Sequence, residues 1–190
     1  GSKAFANDFM ARHGVPTAAS RSFSDAASLR AWLAVCPLPT VVKADGLAGG
    51  KGVLICQDRD EALAAAEAMT AERRFGAAAD RVVVEEFMEG EEASIFALVD
   101  GETVVPLQAL QDHKRRFDGD TGPNTGGMGA YTPVPAVDAA LMAQVQAEVL
   151  LPVARGLVAE GMPYRGLLYA GIMLCAEGPK VVEFNCRFGD

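Results

Sequence analysis

The last ten residues, Val181–Asp190, constrain the fold more than any other part of the chain, because they read V-V-E-F-N-C-R-F-G-D. Side chains of an extended strand point alternately to its two faces. The pattern therefore predicts a strand with Glu183, Asn185 and Arg187 together on one polar face. The opposite face is predicted to be apolar and buried, and it carries Phe184, Cys186 and Phe188.

The polar face of this strand offers a carboxylate, an amide oxygen and a guanidinium in a row. Oxygen ligands suit a hard cation such as Mg²⁺, which usually keeps several waters and bridges substrate phosphates. A neighbouring arginine can clamp the same phosphates. The segment taken alone fits equally well a half-buried strand whose polar face is simply solvated.

Length and charge restrict the partners of the chain. Its 190 residues suffice for one domain or two small lobes, and half of them are hydrophobic, which allows a sizeable core. The net charge of −8 argues against a general nucleic-acid binder, which needs a basic patch, so no nucleic-acid partner is expected. A small anionic ligand is compatible with this charge because local cations can outweigh the global balance.

The cysteines and the chain ends bear on location and completeness. The four cysteines are far apart and form no C-x-x-C pair, so we expect reduced thiols in a cytoplasmic protein. No apolar run of ~18 residues and no signal peptide is recognised, so no membrane partner is expected. Gly1-Ser2 resembles a tag-cleavage scar, and the chain stops directly after a charged strand. We therefore expect a fragment of a larger protein.

Hydrophobic periodicity predicts helices interleaved with hairpin-bounded strands. Helices are predicted over 3–13, after Ser24, over 58–70 behind a capping box, and over 137–160 with a kink at Pro152. Strands are predicted over 39–44, 53–56, 82–86, 93–99, 103–106, 166–175 and 179–187. Residues 111–132 lack periodicity and are predicted to be a loop that is either functional or disordered. This mixture indicates an α+β fold with mainly antiparallel sheets.

A glycine-rich turn lies between the first two of these strands, where residues 43–52 read K-A-D-G-L-A-G-G-K-G. Successive backbone N–H groups in such a turn can hold an anion, and Lys43 and Lys51 add two positive charges. The segment is not a Walker A loop, because Asp45 and Gly52 stand where that motif needs glycine and Ser or Thr. A plain hairpin with solvated lysines is the alternative.

An acidic run, E-E-F-M-E-G-E-E at 85–92, follows a buried strand. A carboxylate and free backbone groups at a strand exit can hold a purine and its ribose hydroxyls, although acidic runs are usually solvated faces. No Ser-His-Asp or Cys-His arrangement is recognised. Phosphoryl transfer needs positioning and charge stabilisation rather than a protein nucleophile, so these features together fit that chemistry.

The order of these elements resembles the ATP-grasp superfamily and, within it, the glycinamide ribonucleotide synthetase (phosphoribosylamine–glycine ligase) family. The resemblance covers nearly the whole chain. It rests on S-K-A-F-A-N-D-F-M at 2–10, V-V-K-A-D-G-L-A-G-G-K-G at 41–52, V-E-E-F-M-E-G-E-E-A-S at 84–94, Q-D-H-K-R-R-F-D-G-D-T-G-P-N-T-G-G-M-G-A-Y at 111–131 and V-E-F-N-C-R-F-G-D at 182–190. The segment at 111–131 is the most specific of the five.

The resemblance implies two lobes with ATP bound between them, a small lid lobe of residues 18–88 and a larger lobe of 1–17 and 89–190. It implies that ATP phosphorylates the carboxylate of glycine, and that the amine of 5-phosphoribosylamine attacks the glycyl phosphate. The products would be glycinamide ribonucleotide, ADP and phosphate, a step of de novo purine biosynthesis. The cofactors would be ATP and Mg²⁺, with Mn²⁺ as an alternative. The family's flanking N- and C-terminal domains would be absent, leaving the fragment inactive alone.

The resemblance also implies site residues by motif position. Those that would bind ATP are Lys43, Gly49, Gly50 and Lys51 at the phosphates, Glu85 and Phe87 at adenine, and Glu92 at the ribose. Glu183 and Asn185 would hold the metal, and Arg187 and Lys114 would be catalytic. The substrate side would be lined by Asp112, Asn124, Thr125 and Asp190.

Three alternatives accompany this resemblance. Another ATP-grasp ligase, such as a carboxylase or a D-alanine ligase, is disfavoured by residues 111–131. A non-catalytic nucleotide-binding or scaffolding module is the rival from another class. An oligonucleotide-binding module is disfavoured by charge and by scarce aromatic residues.

The chain departs from the ATP-grasp pattern at the metal site. Many ATP-grasp enzymes carry an acidic ligand on the strand before the last, but residues 166–175 contain no acid. ATP phosphates and water would then complete the metal shell.

Overall fold

The computed structural model describes residues 1–47, 52–71, 75–113, 115–118, 121–124 and 129–188, with the backbone alone at 115, 116 and 121–124. The chain divides into two compact units. Unit 1 comprises Gly1–Asp8 and Ala18–Met88, and unit 2 comprises Phe9–Thr17 and Glu89–Asp190.

Helices and strands alternate along the described residues. The helices are α1 (Lys3–Arg12), α2 (Ala26–Leu33), α3 (Arg59–Thr70), α4 (Ala139–Val145) and α5 (Leu151–Ala159). The longer strands are β1 (Ser20–Phe23), β2 (Thr40–Ala44), β3 (Val53–Cys56), β4 (Val82–Glu86), β5 (Glu91–Asp100), β6 (Thr103–Pro106), β11 (Arg165–Cys175) and β12 (Gly178–Asn185). The short strands are β7 (Gln111–Asp112), β8 (Arg115–Phe117), β9 (Thr121–Asn124) and β10 (Ala130–Tyr131).

Two helices of unit 1 begin at side-chain caps. The carboxylate of Asp58 accepts a hydrogen bond from the backbone N–H of Glu61 at 2.9 Å, so the predicted start of α3 is confirmed. Helix α2 begins one residue later than predicted, because Asp25 rather than Ser24 is the cap, accepting from the N–H of Ser28 at 2.8 Å. These caps satisfy N–H groups that the first helical turn leaves without partners.

Unit 1 is built on an antiparallel sheet in the order β1-β4-β2-β3. One face of this sheet is apolar and packs with α2 and α3. The core between them includes Leu29, Leu33, Val42, Met69 and Val84. Because the helices cover this face, the side chains that alternate with Val42 and Val84 lie on the opposite face of the sheet.

Unit 2 is built on a second antiparallel sheet in the order β12-β11-β5-β6. Its core face is formed by fully buried residues on three strands: Ile95 and Ala97 of β5, Ala170 and Ile172 of β11, and Val181 of β12. The predicted α+β class with antiparallel sheets is therefore confirmed within the described residues.

The segment before β11 is continuously helical from Ala139 to Ala159, with a π-helical turn at Gln146–Leu150 between α4 and α5. Pro152 has no N–H for the carbonyl four residues earlier, which accounts for the altered turn at the predicted kink. By length and composition alone this stretch would suffice to cross a membrane, with a mean hydropathy of 1.2. The sequence analysis did not recognise this apolar run. Core helices of soluble proteins pass the same test of length and composition, so the run is weak evidence for a membrane span.

The prediction of a loop over 111–132 was wrong in part. Backbone pairing joins β7 to β10, with Asp112 opposite Ala130, and β8 to β9, with Arg115 opposite Asn124. These strands are two to four residues long, and hydrophobic periodicity is undetectable in such short segments.

The final strand is shorter than predicted, because β12 ends at Asn185. Arg187 therefore lies beyond the strand, where its Nη1 donates to the carbonyl of Phe188 at 2.8 Å. Cys186 is exposed and Phe188 is 67% exposed. The predicted apolar face is thus wrong for these two residues, since strand alternation cannot orient side chains past the end of the ladder.

Candidate functional site

A β-bulge in β12 determines where the predicted metal ligands point. Ile172 of β11 pairs with Val181, but the next residue, Gly171, pairs with Glu183, so Val182 is an extra residue. An extra residue reverses the alternation of side chains beyond it. Val181 is therefore buried in the core at 0% exposure, whereas Glu183, two residues later, lies on the exposed face of the same strand.

The edge of β12 is held at this bulge by the segment after α1. The N–H of Val181 donates to the carbonyl of Pro16 at 2.8 Å, and the hydroxyl of Thr17 donates to the carbonyl of Val181 at 2.8 Å. The backbone before the bulge is therefore tied on its outer side as well as paired with β11.

Glu183 and Asn185 are in direct contact on this face. The amide Nδ2 of Asn185 donates to Oε1 of Glu183 at 3.1 Å. Their carboxylate and amide oxygens are the donor types that Mg²⁺ prefers, and Mg²⁺ is usually held by one or two carboxylates together with substrate phosphates and water. Among the described residues no group of three or more His, Cys, Asp and Glu side chains could hold a metal. The pair thus fits a cation completed by phosphates rather than one enclosed by protein.

The same sheet face continues across β11 and β5. Gly171 lies opposite both Glu183 and Ser94, so these three form one row across the strands. A Cβ at Gly171 would lie 3.2 Å from the Tyr169 hydroxyl and 3.6 Å from Cγ of Glu183. The hydroxyls of Ser94 and Tyr169 lie 3.2 Å apart. Position 171 offers no metal ligand, but its missing side chain leaves room beside Glu183.

Glu92, the predicted ribose ligand, lies on this face too, two residues before Ser94 on β5. It pairs with Met173, and its backbone carbonyl accepts a hydrogen bond from Gln111 Nε2 at 3.1 Å. The structure therefore brings Glu92, Glu183 and Asn185 together on one face of the unit 2 sheet.

In unit 1 the structure brings together two other predicted ligands, Lys43 and Glu85. Val41 pairs with Glu85 and Lys43 pairs with Val83, so all four side chains share the face opposite the helices. Nζ of Lys43 lies 2.6 Å from Oε2 of Glu85, with side-chain exposures of 8% and 6%. Oε1 of Glu85 accepts from Nδ2 of Asn7 at 2.9 Å. This buried ion pair leaves neither charge without a partner.

The start of the glycine-rich turn is held by the beginning of α1. The ammonium of Lys3 donates to the carbonyls of Ala44 and Gly46 at 2.8 and 3.2 Å. The carboxylate of Asp45 accepts from the Ser2 hydroxyl at 2.9 Å and from the N–H of Ala4 at 2.7 Å. The segment entering the turn is therefore anchored by four hydrogen bonds from three donor groups.

The remaining predicted residues are more dispersed. Phe87 is half-buried just after β4, Asp112 is half-buried in β7, and the backbone of Asn124 lies in β9. Arg187 is exposed beyond β12. The predicted residues that lie outside the described residues are Gly49, Gly50, Lys51, Lys114, Thr125 and Asp190.

Sequence reasoning missed Lys3 and Asn7 as members of these clusters. Asn7 interrupts a buried helix face, because Ala4 and Met10, three residues to either side, are 0% and 1% exposed. A polar residue at the centre of such a face is a signal that could have found it, since buried polar groups need hydrogen-bond partners. Ser94 and Tyr169 gave no such signal, because each stands alone among apolar strand residues.

Comparison with known proteins gives matches over the whole chain. Residues 1–190 match the family described as "Phosphoribosylglycinamide synthetase, ATP-grasp (A) domain". Curated relatives named phosphoribosylamine–glycine ligase include one from Caulobacter vibrioides, 58% identical over 189 residues, and one from Listeria monocytogenes, 53% identical over 190 residues. All of this chain is covered in both cases, but it spans only 44% and 45% of those relatives.

Solved structures are similar as well. A crystal structure of phosphoribosylamine–glycine ligase from Thermotoga maritima aligns with a TM-score of 0.91 and 38% identity, covering 100% of this chain and 48% of that one. A biotin carboxylase domain from Hydrogenobacter thermophilus aligns with a TM-score of 0.72 at 18% identity, covering 99% of this chain and 40% of that one, which shows the fold alone. The predicted ATP-grasp fold is confirmed. The chain therefore belongs to the ATP-grasp (A) domain family of phosphoribosylglycinamide synthetase.

Proposed function

We propose that this chain is the ATP-binding part of a phosphoribosylamine–glycine ligase, active in the cytoplasm in de novo purine biosynthesis. The observation that carries the proposal is the identity of more than half of all residues, over the whole chain, with curated relatives of that name. The reaction joins glycine to 5-phosphoribosylamine through a glycyl phosphate, giving glycinamide ribonucleotide, ADP and phosphate.

The metal-side residues fit phosphoryl transfer. Glu183 and Asn185 would hold Mg²⁺, or Mn²⁺ in its place, through one carboxylate and one amide oxygen. A divalent cation, when bound, neutralises charge on the phosphates during transfer. Arg187 supplies an exposed guanidinium just past these ligands and steadies the transferred phosphoryl group.

The nucleotide-side residues lie in unit 1 and at the start of β5. Lys43 and Lys51 contact the ATP phosphates, with the backbone of Gly49 and Gly50. For Lys43, this requires its ammonium to turn from Glu85 or to be shared with it. Glu85 and the backbone of Phe87 face adenine, and Glu92 takes the ribose hydroxyls. The residues on the substrate side are Asp112, Lys114, Asn124, Thr125 and Asp190.

One nucleotide would have to contact residues of both units. We propose that residues 18–88 act as a lid that closes on 1–17 and 89–190, excluding water from the acyl phosphate. The chain spans less than half of its curated relatives, so the partners that complete the substrate pocket would be further domains of the same polypeptide. The 190 residues alone would bind ATP but turn over slowly or not at all.

Thermal melting of the chain with and without Mg²⁺ and ATP tests the nucleotide site. A ligand at ~100 times its Kd stabilises the folded state by ~2.7 kcal/mol, which melting detects readily. We expect protection by ATP that requires Mg²⁺. Glu183→Gln combined with Asn185→Ala should remove the Mg²⁺-dependent part and leave the ligand-free melting temperature unchanged.

Glu177→Gln, in the exposed turn between β11 and β12, is the matched control and should retain the protection. Full Mg²⁺-dependent protection in the double variant would show that the metal binds elsewhere.

Assays of ADP release test the ligase assignment. Glycine-dependent release in a protein that includes the flanking domains is expected, and normal turnover by this chain alone would refute the need for those domains. Release that depends on another carboxylate would favour a different ATP-grasp ligase. ATP binding without any ADP release would favour a non-catalytic module.

A further inference from the structure

Asn7 is a buried polar residue to which the proposed function assigns no role. Among the described residues, the buried polar or charged ones are Asn7, Thr40, Lys43, Glu85 and Ser94. Three of them form one hydrogen-bonded cluster, in which Asn7 of α1 reaches Glu85 of β4 and Glu85 reaches Lys43 of β2. Asn7 is therefore the contribution of the helix to a cluster that otherwise belongs to the sheet.

The two oxygens of Glu85 have different partners. Oε1 accepts from Nδ2 of Asn7 at 2.9 Å, and Oε2 lies 2.6 Å from Nζ of Lys43. A carboxylate held at both oxygens cannot rotate freely, yet each oxygen keeps a second lone pair for another donor. The lysine ammonium is a mobile point charge on a flexible stem, whereas the asparagine amide is short and 9% exposed.

We propose that Asn7 is a positioning residue that orients the Glu85 carboxylate for recognition of the adenine amino group. The inference rests on the proposed function, in which Glu85 faces adenine and Lys43 contacts phosphate. When Lys43 turns to phosphate, Asn7 is the donor among the described residues that keeps the buried carboxylate partnered. An ionised carboxylate only accepts hydrogen bonds, so it binds the 6-amino group of adenine and repels the 6-oxo group of guanine.

Affinities for Mg·ATP and Mg·GTP, measured by calorimetry on the 190-residue chain, test this role. Asn7→Ala removes the amide, and Asn7→Leu replaces it with an apolar side chain of similar size that cannot donate. Both variants should lower the affinity for Mg·ATP by ~10-fold, which corresponds to the loss of one hydrogen bond to a charged group. The affinity for Mg·GTP should stay nearly unchanged. Asn7→Gln keeps an amide donor and should restore part of the ATP preference. Asp8→Ala, at the exposed next position of α1, is the control and should change neither affinity.

The outcomes separate this inference from the function on which it rests. If the wild-type chain does not prefer ATP to GTP, the adenine role of Glu85 fails, and the role of Asn7 fails with it. If Glu85→Gln loses the preference but the Asn7 variants keep it, the inference is overturned while the proposed function stands. An equal loss of ATP and GTP affinity with a lower ligand-free melting temperature would show that Asn7 is merely structural, which also overturns it.

Discussion

The buried pair of Lys43 and Glu85 should make a large contribution to the stability of unit 1 that depends on both partners. Glu85→Leu would leave the ammonium of Lys43, 8% exposed, without its counter-charge, and the amide of Asn7 without its acceptor. Removing one partner of a buried ion pair typically costs about 3–5 kcal/mol. We expect a loss of this size in the free energy of unfolding.

Removing both charges should lower the free energy of unfolding far less than removing one. Replacement of a buried pair by apolar residues is often neutral or stabilising by about 1–4 kcal/mol. The amide of Asn7 would still lack its acceptor, at a cost of about 1–3 kcal/mol. Lys43→Met combined with Glu85→Leu is therefore expected to change the free energy of unfolding by no more than ~2 kcal/mol. This loss is far smaller than the summed losses of the two single variants.

Urea unfolding followed by tryptophan fluorescence measures this cycle. Trp32 is the sole tryptophan of the chain and lies in α2 of unit 1, so its emission reports the unit that holds the pair. Glu67→Leu is the matched control, because the Arg30–Glu67 pair of the same unit is about half exposed and should contribute under ~1 kcal/mol. A cost below ~1 kcal/mol for Glu85→Leu, or simple additivity in the double variant, would refute the reasoning.

Three further predictions concern other parts of the chain. Gly156→Ala should lower the melting temperature despite the better helix propensity of alanine, because its Cβ would lie 2.7 Å from Cγ of His13. Hydrogen bonding to His13 holds the pKa of Glu160 below its ordinary 4.5. The stabilisation that Glu160→Gln removes should therefore be present above pH 4.5 and vanish as the pH falls below that value. Thermal melts of both proteins across pH measure this difference. Burial raises the pKa of Cys56 to about 11, so iodoacetamide should alkylate it far more slowly than exposed Cys186, measured by peptide mass spectrometry.

Each of these has a result that would contradict it. His13→Ala should rescue Gly156→Ala only in part, because the new Cβ would still lie 2.8 Å from Cζ of Phe9, and no rescue at all would show that contact with His13 is not the cause. A melting-temperature difference for Glu160→Gln that is the same on both sides of pH 4.5 would rule out the ionised carboxylate as its cause. Equal alkylation of the two thiols in the folded chain would show that Cys56 is accessible.

Local structure could be read from the sequence where a few neighbouring residues decide it. The capping box at Asp58 and Glu61 predicted the start of α3, because cap and N–H group are three residues apart. The strands predicted over 93–99 and 103–106 form the antiparallel pair of β5 and β6. The short pairs β7–β10 and β8–β9 could not be found this way, since two- to four-residue strands carry no detectable period.

The sequence by itself determined the fold family and the residue types of the site, because the order of the motifs and the residues in them can be read without knowing which residues are in contact. Only the tertiary structure decided which groups meet. Strict alternation would put Val181 on the face of Glu183, but the extra residue Val182 separates them, and a bulge is a property of pairing with β11. The contact of Asn7 with Glu85 spans 78 positions, so it exists only because α1 and the unit 1 sheet pack together.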